Sequence, residues 1–254
     1  MKKNNLVLYF HNKTKLYLRE EKEAKKLIPL TWVKIFFKSY PRFKEVNLPK
    51  PALSSMPLDK CIKRRESCRK FTKKPLTKQD VSDVLFYCGG ITNQKKKRDW
   101  NETRRAYPSA GARYPLELYV VAFNVKGLKQ GIYHYNIKKH SLELMLPCSY
   151  RKELYGSIMQ RMIKKCSILI LISAVFDRTR VKYGDRAYRY ILLDAGHLAQ
   201  NIYLKATSLN IGCCTIGGFS DDKINRLLDL NPNEEATIYI AALGRKNGMS
   251  KNQN

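Results

Sequence analysis

Apolar residues between Ile191 and Leu209 step by four and three along the chain: Ile191, Ala195, Leu198, Ile202, Ala206 and Leu209. That spacing places them on one face of a helix, and the stretch VKYGDRAYRYILLDAGHLAQN, Val181 to Asn201, opens the longest helix the pattern predicts. Gly212 falls just past its expected end. Within it, Asp194 and His197 are three apart and share a face; the alternatives are a catalytic pair, for which no nucleophilic Ser or Cys has a supporting motif, and a structural hydrogen-bond network, which is the expected one. A short helix is predicted over LDKCIKRRES, and another after Thr77, where Thr77 and Asp80 match a capping box and Val81, Val84, Leu85 and Cys88 recur at helical spacing until Gly89-Gly90. Tyr150 to Lys165 also reads as helical. Strands are expected at ELYVVAFNV (117–125), in a hairpin of GIYHYN and SLELML around Lys138 to His140, in the continuous apolar run SILILISAVF (167–176) and in ATIYIAALG near the end. Asp221 and Asp222 suit the first turn of a helix that points Ile224, Leu227 and Leu228 inward. Helices and strands do not alternate as strict βαβ units, so the class is α+β.

The 254 residues suffice for one large domain or two small ones, and 44% hydrophobic with 28% charged residues describes a globular chain. The longest apolar run is too short to span a bilayer, and the N-terminus has no signal-peptide pattern, so membrane insertion is not expected and the cytoplasm is the expected compartment. Residues 1–55 are lysine-rich, carry Trp32, Phe36, Phe37 and Phe43, and lead into prolines 41, 49, 51 and 57. They read as a basic N-terminal arm before a main domain over 56–247, with 248–254 as a disordered tail. Seven cysteines without a CxxC pair argue against a disulfide framework or a zinc site, and no metal is expected. Adjacent Cys213 and Cys214 read as buried small hydrophobes. A net charge of +28 would steer polyanions, yet the lysines are scattered and no nucleic-acid-binding motif accompanies them, so nucleic acid is not the expected partner.

Four segments carry candidate chemistry. In RRESCRKF, residues Arg65, Ser67 and Arg69 alternate, so in extended backbone two guanidiniums and a hydroxyl point one way toward a phosphate or planar anion. In YPSAGARYPLE, small residues Ser109 to Ala112 between two prolines allow close backbone approach to a flat ligand. In CTIGGFSDD, Gly217 and Gly218 lie between a strand and a helix start, where N–H groups can face negative charge. Arg245 in LGR closes the last strand.

Taken in order, R-x-S-x-R-x-F, P-S-A-G-A-x-x-P, the Gly-Gly turn and the terminal G-R resemble the FMN-dependent nitroreductase superfamily. The resemblance implies a nitroreductase-like fold with a central mixed or antiparallel sheet flanked by helices, and an intertwined homodimer with two FMN molecules at the interface. It implies that Arg65, Ser67 and Arg69 hold the flavin, that Ser109 sits against it, that the Gly217 N–H faces its reactive N5 with Gly218 alongside, and that Arg245 meets the phosphate. Glu66 departs from the Arg or His found there in the superfamily and leaves Arg64 an unassigned phosphate ligand. KYGDRAYRYILLDAGHLAQN, the arm segments YFHNKTK and LPKP, and GLKQGIYHYNIKKHSLELM further resemble the SagB-type dehydrogenases, which make azoles in ribosomal peptide natural products. Within that group a Lys-Tyr pair is the catalytic motif, here Lys182 and Tyr183.

The resemblance thus implies an FMN-dependent oxidoreductase that turns thiazoline or oxazoline rings into thiazoles or oxazoles in a modified precursor peptide, working beside a cyclodehydratase complex. Such a reaction removes a proton and a hydride from adjacent carbons, and a general base must take the proton. Neighbouring Arg180, Arg186 and Arg189 would disfavour a further positive charge and so favour Lys182 as that base, with Tyr183 donating or relaying a proton. The rival readings are an NAD(P)H-dependent nitro or quinone reductase on the same fold and a non-catalytic basic protein that binds flavin or polyanions.

Overall fold

A computed structural model of the chain describes residues 6–15, 29, 34–94 and 103–246. Trp32 and the 248–254 tail lie outside the described residues, as do parts of the N-terminal arm. Seven strands form one antiparallel sheet, and their order follows from which runs can bury both faces. The sheet contains β1 (Lys44–Asn47), β5 (Leu116–Ala122), β7 (Gly131–Asn136), β8 (Ser141–Pro147), β9 (Ile168–Val175), β10 (Ile211–Ile216) and β11 (Glu235–Arg245), in the order β1-β8-β7-β5-β9-β11-β10. Two small pairs lie outside it: β2 (Leu76–Thr77) with β6 (Val125–Lys126), and β3 (Ile91–Gln94) with β4 (Thr103–Arg105).

The central strands explain the continuous apolar runs. In β9, Ile168, Ile170, Ile172 and Ala174 join one core, while Leu169 and Leu171 join the core on the opposite face. Strand β5 does the same with Leu118 and Val120 against Tyr119 and Val121. Side chains alternate across a strand, so a strand covered on both faces has no polar side to show.

The first core is closed by α3 (Lys78–Gly89) and α6 (Ala187–Ser208). The capping box at the start of α3 forms as the sequence predicts: Thr77 N donates to Asp80 Oδ2 at 2.7 Å and Asp80 N donates to Thr77 Oγ1 at 3.1 Å. The apolar stripe of α6 also forms, with Ile191, Ala195, Leu198, Ile202 and Ala206 all buried. The second core is closed by α4 (Arg151–Tyr155) and α7 (Asp221–Leu227) through Leu154 and Ile224. Residues 44–47, assigned by sequence to the arm, form the edge strand of the main sheet. Ahead of them Lys38 Nζ pairs with Glu235 at 2.6 Å, and Tyr40 N donates to Glu143 Oε2 at 2.9 Å.

Three expectations are corrected. The helix predicted from Val181 is two helices, α5 (Asp177–Tyr183) and α6, joined by a short 3₁₀ turn. Gly184 at φ +54, ψ −141 breaks the run, a conformation open to glycine and strained for other residues. At the far end of α6 the left-handed residue is Asn210 (φ +53), and Gly212 lies inside β10. The helix predicted over Tyr150–Lys165 stops at Tyr155, because residues 157–159 pair with the chain around Gly218: Met159 N donates to Gly218 O at 3.2 Å and Ser220 N to Ser157 O at 2.7 Å.

Candidate functional site

The residues singled out by sequence gather in two groups, on opposite sides of α6. The first lines the outer edge of β10. Arg65 follows α2 (Leu58–Arg64) in extended backbone, and the segment behind it pairs with the sheet, Cys68 N donating to Cys213 O at 2.8 Å and Thr72 N to Arg245 O at 2.7 Å. Arg65 and Ser67 both reach Tyr203 of α6: the guanidinium lies 5.4 Å from the ring centroid, and the two hydroxyls are 2.9 Å apart. Tyr203 Oη accepts Thr215 N at 3.0 Å, and Tyr239 Oη donates to Thr215 Oγ1 at 2.7 Å, so a chain of hydroxyls continues toward Gly217. Arg69 is exposed and donates to Ser67 O at 3.4 Å. Arg245 is paired with Asp80 Oδ2 at 2.5 Å, the same oxygen that caps α3. Gly217 is exposed, and a Cβ there would meet nothing within 4 Å.

This strip fits a flavin mononucleotide on chemical grounds. It runs the six residues of β10, about 20 Å. It carries guanidiniums and hydroxyls suited to a phosphate, and it ends in open backbone at Gly217 where a flat ring could approach.

The second group surrounds the small-residue loop. Ser109 Oγ donates to Asp194 Oδ2 at 2.6 Å and accepts Tyr114 N at 2.9 Å. Gly111 sits at φ +57, and a Cβ there would collide with Tyr183 Oη and lie 3.0 Å from Lys182 Nζ. Lys182 and Tyr183, 71 and 72 residues further along the chain, therefore close on this loop. The Tyr183 ring packs edge-on to Tyr190 at 4.9 Å. Burial and the neighbouring Tyr190 raise the Tyr183 phenol, which keeps it protonated and able to donate at neutral pH. Arg113, 1% exposed, backs the loop by donating to Arg178 O and Lys34 O at 2.8 Å each.

The basic knot ahead of α6 does other work than the sequence reading gave it. Arg186 Nη1 donates to Thr14 O and Arg189 Nη2 to His11 O, each at 2.6 Å, while Arg180 pairs with Asp177 at 3.2 Å. Two cations thus sit on carbonyls at the C-terminal end of α1 (Leu6–Lys13), where the helix dipole favours positive charge. They anchor the arm. Asp194 enters a structural hydrogen-bond network, with the loop, while His197, expected to share it, is exposed.

Sequence reasoning missed Asp194 as the partner of Ser109, along with Tyr203, Thr215 and Asp80. A signal for Asp194 existed, since it occupies the i+3 position of the apolar stripe that begins at Ile191, where a carboxylate has to be paid for by donors. Tyr203 had no such signal, because its partners come from two separate segments, around Arg65 and at Thr215.

Both groups lie within the stretch that one family model matches. The chain is a member of the nitroreductase family, whose model matches residues 62–245. Among its relatives is a Methanocaldococcus jannaschii protein named as a nitroreductase, MJ1384. It is 34% identical over 203 residues, covering 80% of this chain and 96% of that protein. The microcin B17-processing protein McbC of Escherichia coli is 27% identical over 164 residues, 62% of this chain and 60% of that protein. A solved structure from Anabaena variabilis, also named as a nitroreductase, superposes with a TM-score of 0.77 at 26% identity, over 95% of this chain and 47% of that one. A chain of the E. coli microcin synthetase McbBCD complex, solved with truncated pro-MccB17 bound, shares the fold at a TM-score of 0.61 and 21% identity, over 96% of this chain and 92% of that one.

Proposed function

We propose that the protein is an FMN-dependent dehydrogenase that oxidises thiazoline or oxazoline rings of a ribosomally made, modified peptide to thiazoles or oxazoles. The observation that carries this reading is the convergence of Lys182 Nζ and Tyr183 Oη on Gly111 of the small-residue loop. A base and a phenol held together beside a loop shaped for a flat ring suit the removal of an acidic ring proton. Arg65, Ser67, Arg69 and Arg245 would hold the phosphate-bearing end of FMN, with Gly217 and Gly218 at its ring and Ser109 on the far side. Bound FMN would supply the hydride acceptor. Lys182 takes the proton from the ring carbon beside the carbonyl, and Tyr183 orients the azoline nitrogen or relays a proton.

In this reading a second copy contributes one of the two groups at each flavin. Asp194 and Tyr203 are nine residues apart on α6, which separates their bonded partners by about 14 Å and half a turn about the helix. Leu192 and Leu193 are 45% and 58% exposed on the same helix, an apolar face suited to a homodimer. The microcin-processing relative and the peptide bound in the McbBCD complex support a precursor peptide as substrate and a cyclodehydratase complex as partner. Among the described residues no helix is long and apolar enough to cross a membrane.

In the test, purified wild type retains yellow flavin, Arg65→Ala with Arg245→Ala loses it, and Lys182→Ala keeps it. Lys182→Ala slows azoline oxidation by about 10²- to 10⁴-fold, followed by mass spectrometry as the loss of one hydrogen molecule per ring. Full activity in Lys182→Ala would overturn the assigned base. A colourless wild type that ignores added FMN would leave only the non-catalytic binding reading. The 34% identity to the M. jannaschii nitroreductase favours a second reading, an NAD(P)H-dependent nitro or quinone reductase. NAD(P)H consumption in the absence of peptide would select it.

A further inference from the structure

Asp194 is 3% exposed, in line with Ile191, Ala195 and Leu198 on the buried stripe of α6. Its Oδ2 accepts the Ser109 hydroxyl at 2.6 Å, its carboxylate also accepts the Ala110 N–H, and Ser109 Oγ in turn accepts Tyr114 N at 2.9 Å. One carboxylate thereby ties together a turn of unusual backbone. Gly111, Ala112 and Tyr114 lie at φ +57, +53 and +46, and two of these three carry a Cβ that disfavours the left-handed region. Strained turns of this kind persist only where surrounding bonds over-determine them, and here those bonds run through Ser109 to Asp194. The turn's Gly111 is the residue against which Lys182 Nζ and Tyr183 Oη are seated.

We propose that Asp194 is the positioning residue of this site: its ionised carboxylate holds the 109–114 turn in the geometry that seats Lys182 and Tyr183, and its protonation loosens that turn. The reaction affected is the one proposed above, but the state of the turn can be read without it. Burial raises the Asp194 carboxyl to about 6, and the hydrogen bonds from Ser109 and Ala110 and the charge of His197 offset only part of that rise. The titratable groups facing it are the exposed His197 on α6, the buried Tyr107 phenol and the Tyr183 phenol. Protonation turns one carboxyl oxygen from acceptor to donor and removes the charge that strengthens both loop bonds. The bonds from Ser109 and Ala110 favour the ionised form and are lost when the turn loosens with Asp194 still buried, so the turn is tight above about pH 6 and loose below it, whatever the cost of that burial to the fold as a whole.

The test is amide hydrogen exchange at Ala110 and Tyr114 as a function of pH, in wild type, Asp194→Asn, Ser109→Ala and His197→Gln, without substrate. Corrected for intrinsic rates, wild-type protection falls as pH drops through about 6. Asp194→Asn shows protection lower by about tenfold, the equivalent of one charge-assisted hydrogen bond, with no pH step. His197→Gln keeps the wild-type step, which separates the carboxylate from the imidazole. Ser109→Ala lowers protection at Tyr114 and serves if Asp194→Asn folds poorly. In azoline oxidation, wild-type kcat has an acidic limb near pH 6 that Asp194→Asn lacks, with flavin retention unchanged. Wild-type protection in Asp194→Asn, or a step that follows His197, would overturn the assignment. If the wild type oxidises no azoline, that result strikes the proposed reaction, and the exchange profile still decides the role of Asp194.

Discussion

Glu117 and Asp194 are both carboxylates sunk in the protein, 5% and 3% exposed, and the fold treats them in opposite ways. Burial alone would raise both. At Glu117 that effect is overcome by the Arg178 guanidinium 2.6 Å away and by a 3.0 Å hydrogen bond with His134, and the carboxyl is held well below the usual carboxylate range. His134 is itself clamped from its other nitrogen by Glu143 at 2.9 Å; burial would lower it, but the two carboxylates raise it. Asp194 is bonded instead by a neutral hydroxyl and a neutral amide, and stays raised to about 6. A buried carboxylate surrounded by cations belongs to the scaffold, pinning β5, β7, β8 and α5 together. One given only neutral donors keeps the capacity to titrate, and it is this one that touches the candidate site.

The same chemical change at the two positions should therefore separate them. Glu117→Gln leaves the buried Arg178 without its counter-charge and takes one of two carboxylates from His134, and should cost about 3–5 kcal/mol, read as a large fall in denaturation midpoint at pH 7. Asp194→Asn should leave stability unchanged or higher at pH 8. The sign follows from the rise of its pKa from 3.8 to about 6: ionisation in the fold is penalised, by about 3 kcal/mol, so stability present below pH 4 is lost as pH rises through 6. Equal destabilisation by the two substitutions would erase the distinction.

A smaller effect is expected at the point where the second carboxylate's turn meets the proposed catalytic pair. Gly111→Ala puts a Cβ at φ +57 and against Tyr183 Oη. It should cost about 1–2 kcal/mol in stability and lower azoline oxidation, while the Glu117 network is untouched. Retention of full activity would show that the pair can reseat. The smallest effect concerns cations in place of carboxylates. Arg186→Gln removes a charge from the C-terminal end of α1 and should weaken arm docking by about 0.3–1 kcal/mol, seen as faster proteolysis within residues 6–15 with unchanged flavin content. Unchanged proteolysis would mean that the contact between Phe10 and Tyr188 suffices to hold the arm.

Much of this was legible in the chain and some of it was not, for reasons that can be named. The local pattern fixes α6 and its core stripe, the two-sided burial of β9 and the capping box of α3, because these depend on residues within a few positions of each other. The order of motifs from Arg65 to Arg245 is also a linear property, so the nitroreductase frame follows from it. Charge placement did not follow. Arg186 and Arg189 look like neighbours of Lys182 in the chain, but a helix turns them to carbonyls more than 170 residues away at Thr14 and His11. Gly184 splits one predicted helix into two and thereby aims Lys182 and Tyr183 at the loop of Gly111, 71 and 72 residues earlier. Only the fold decides which buried carboxylate receives a cation, since Glu117 finds Arg178 across 61 positions and Asp194 finds Ser109 across 85. Local pattern determines which elements form, and long-range contact determines what charge each buried group carries.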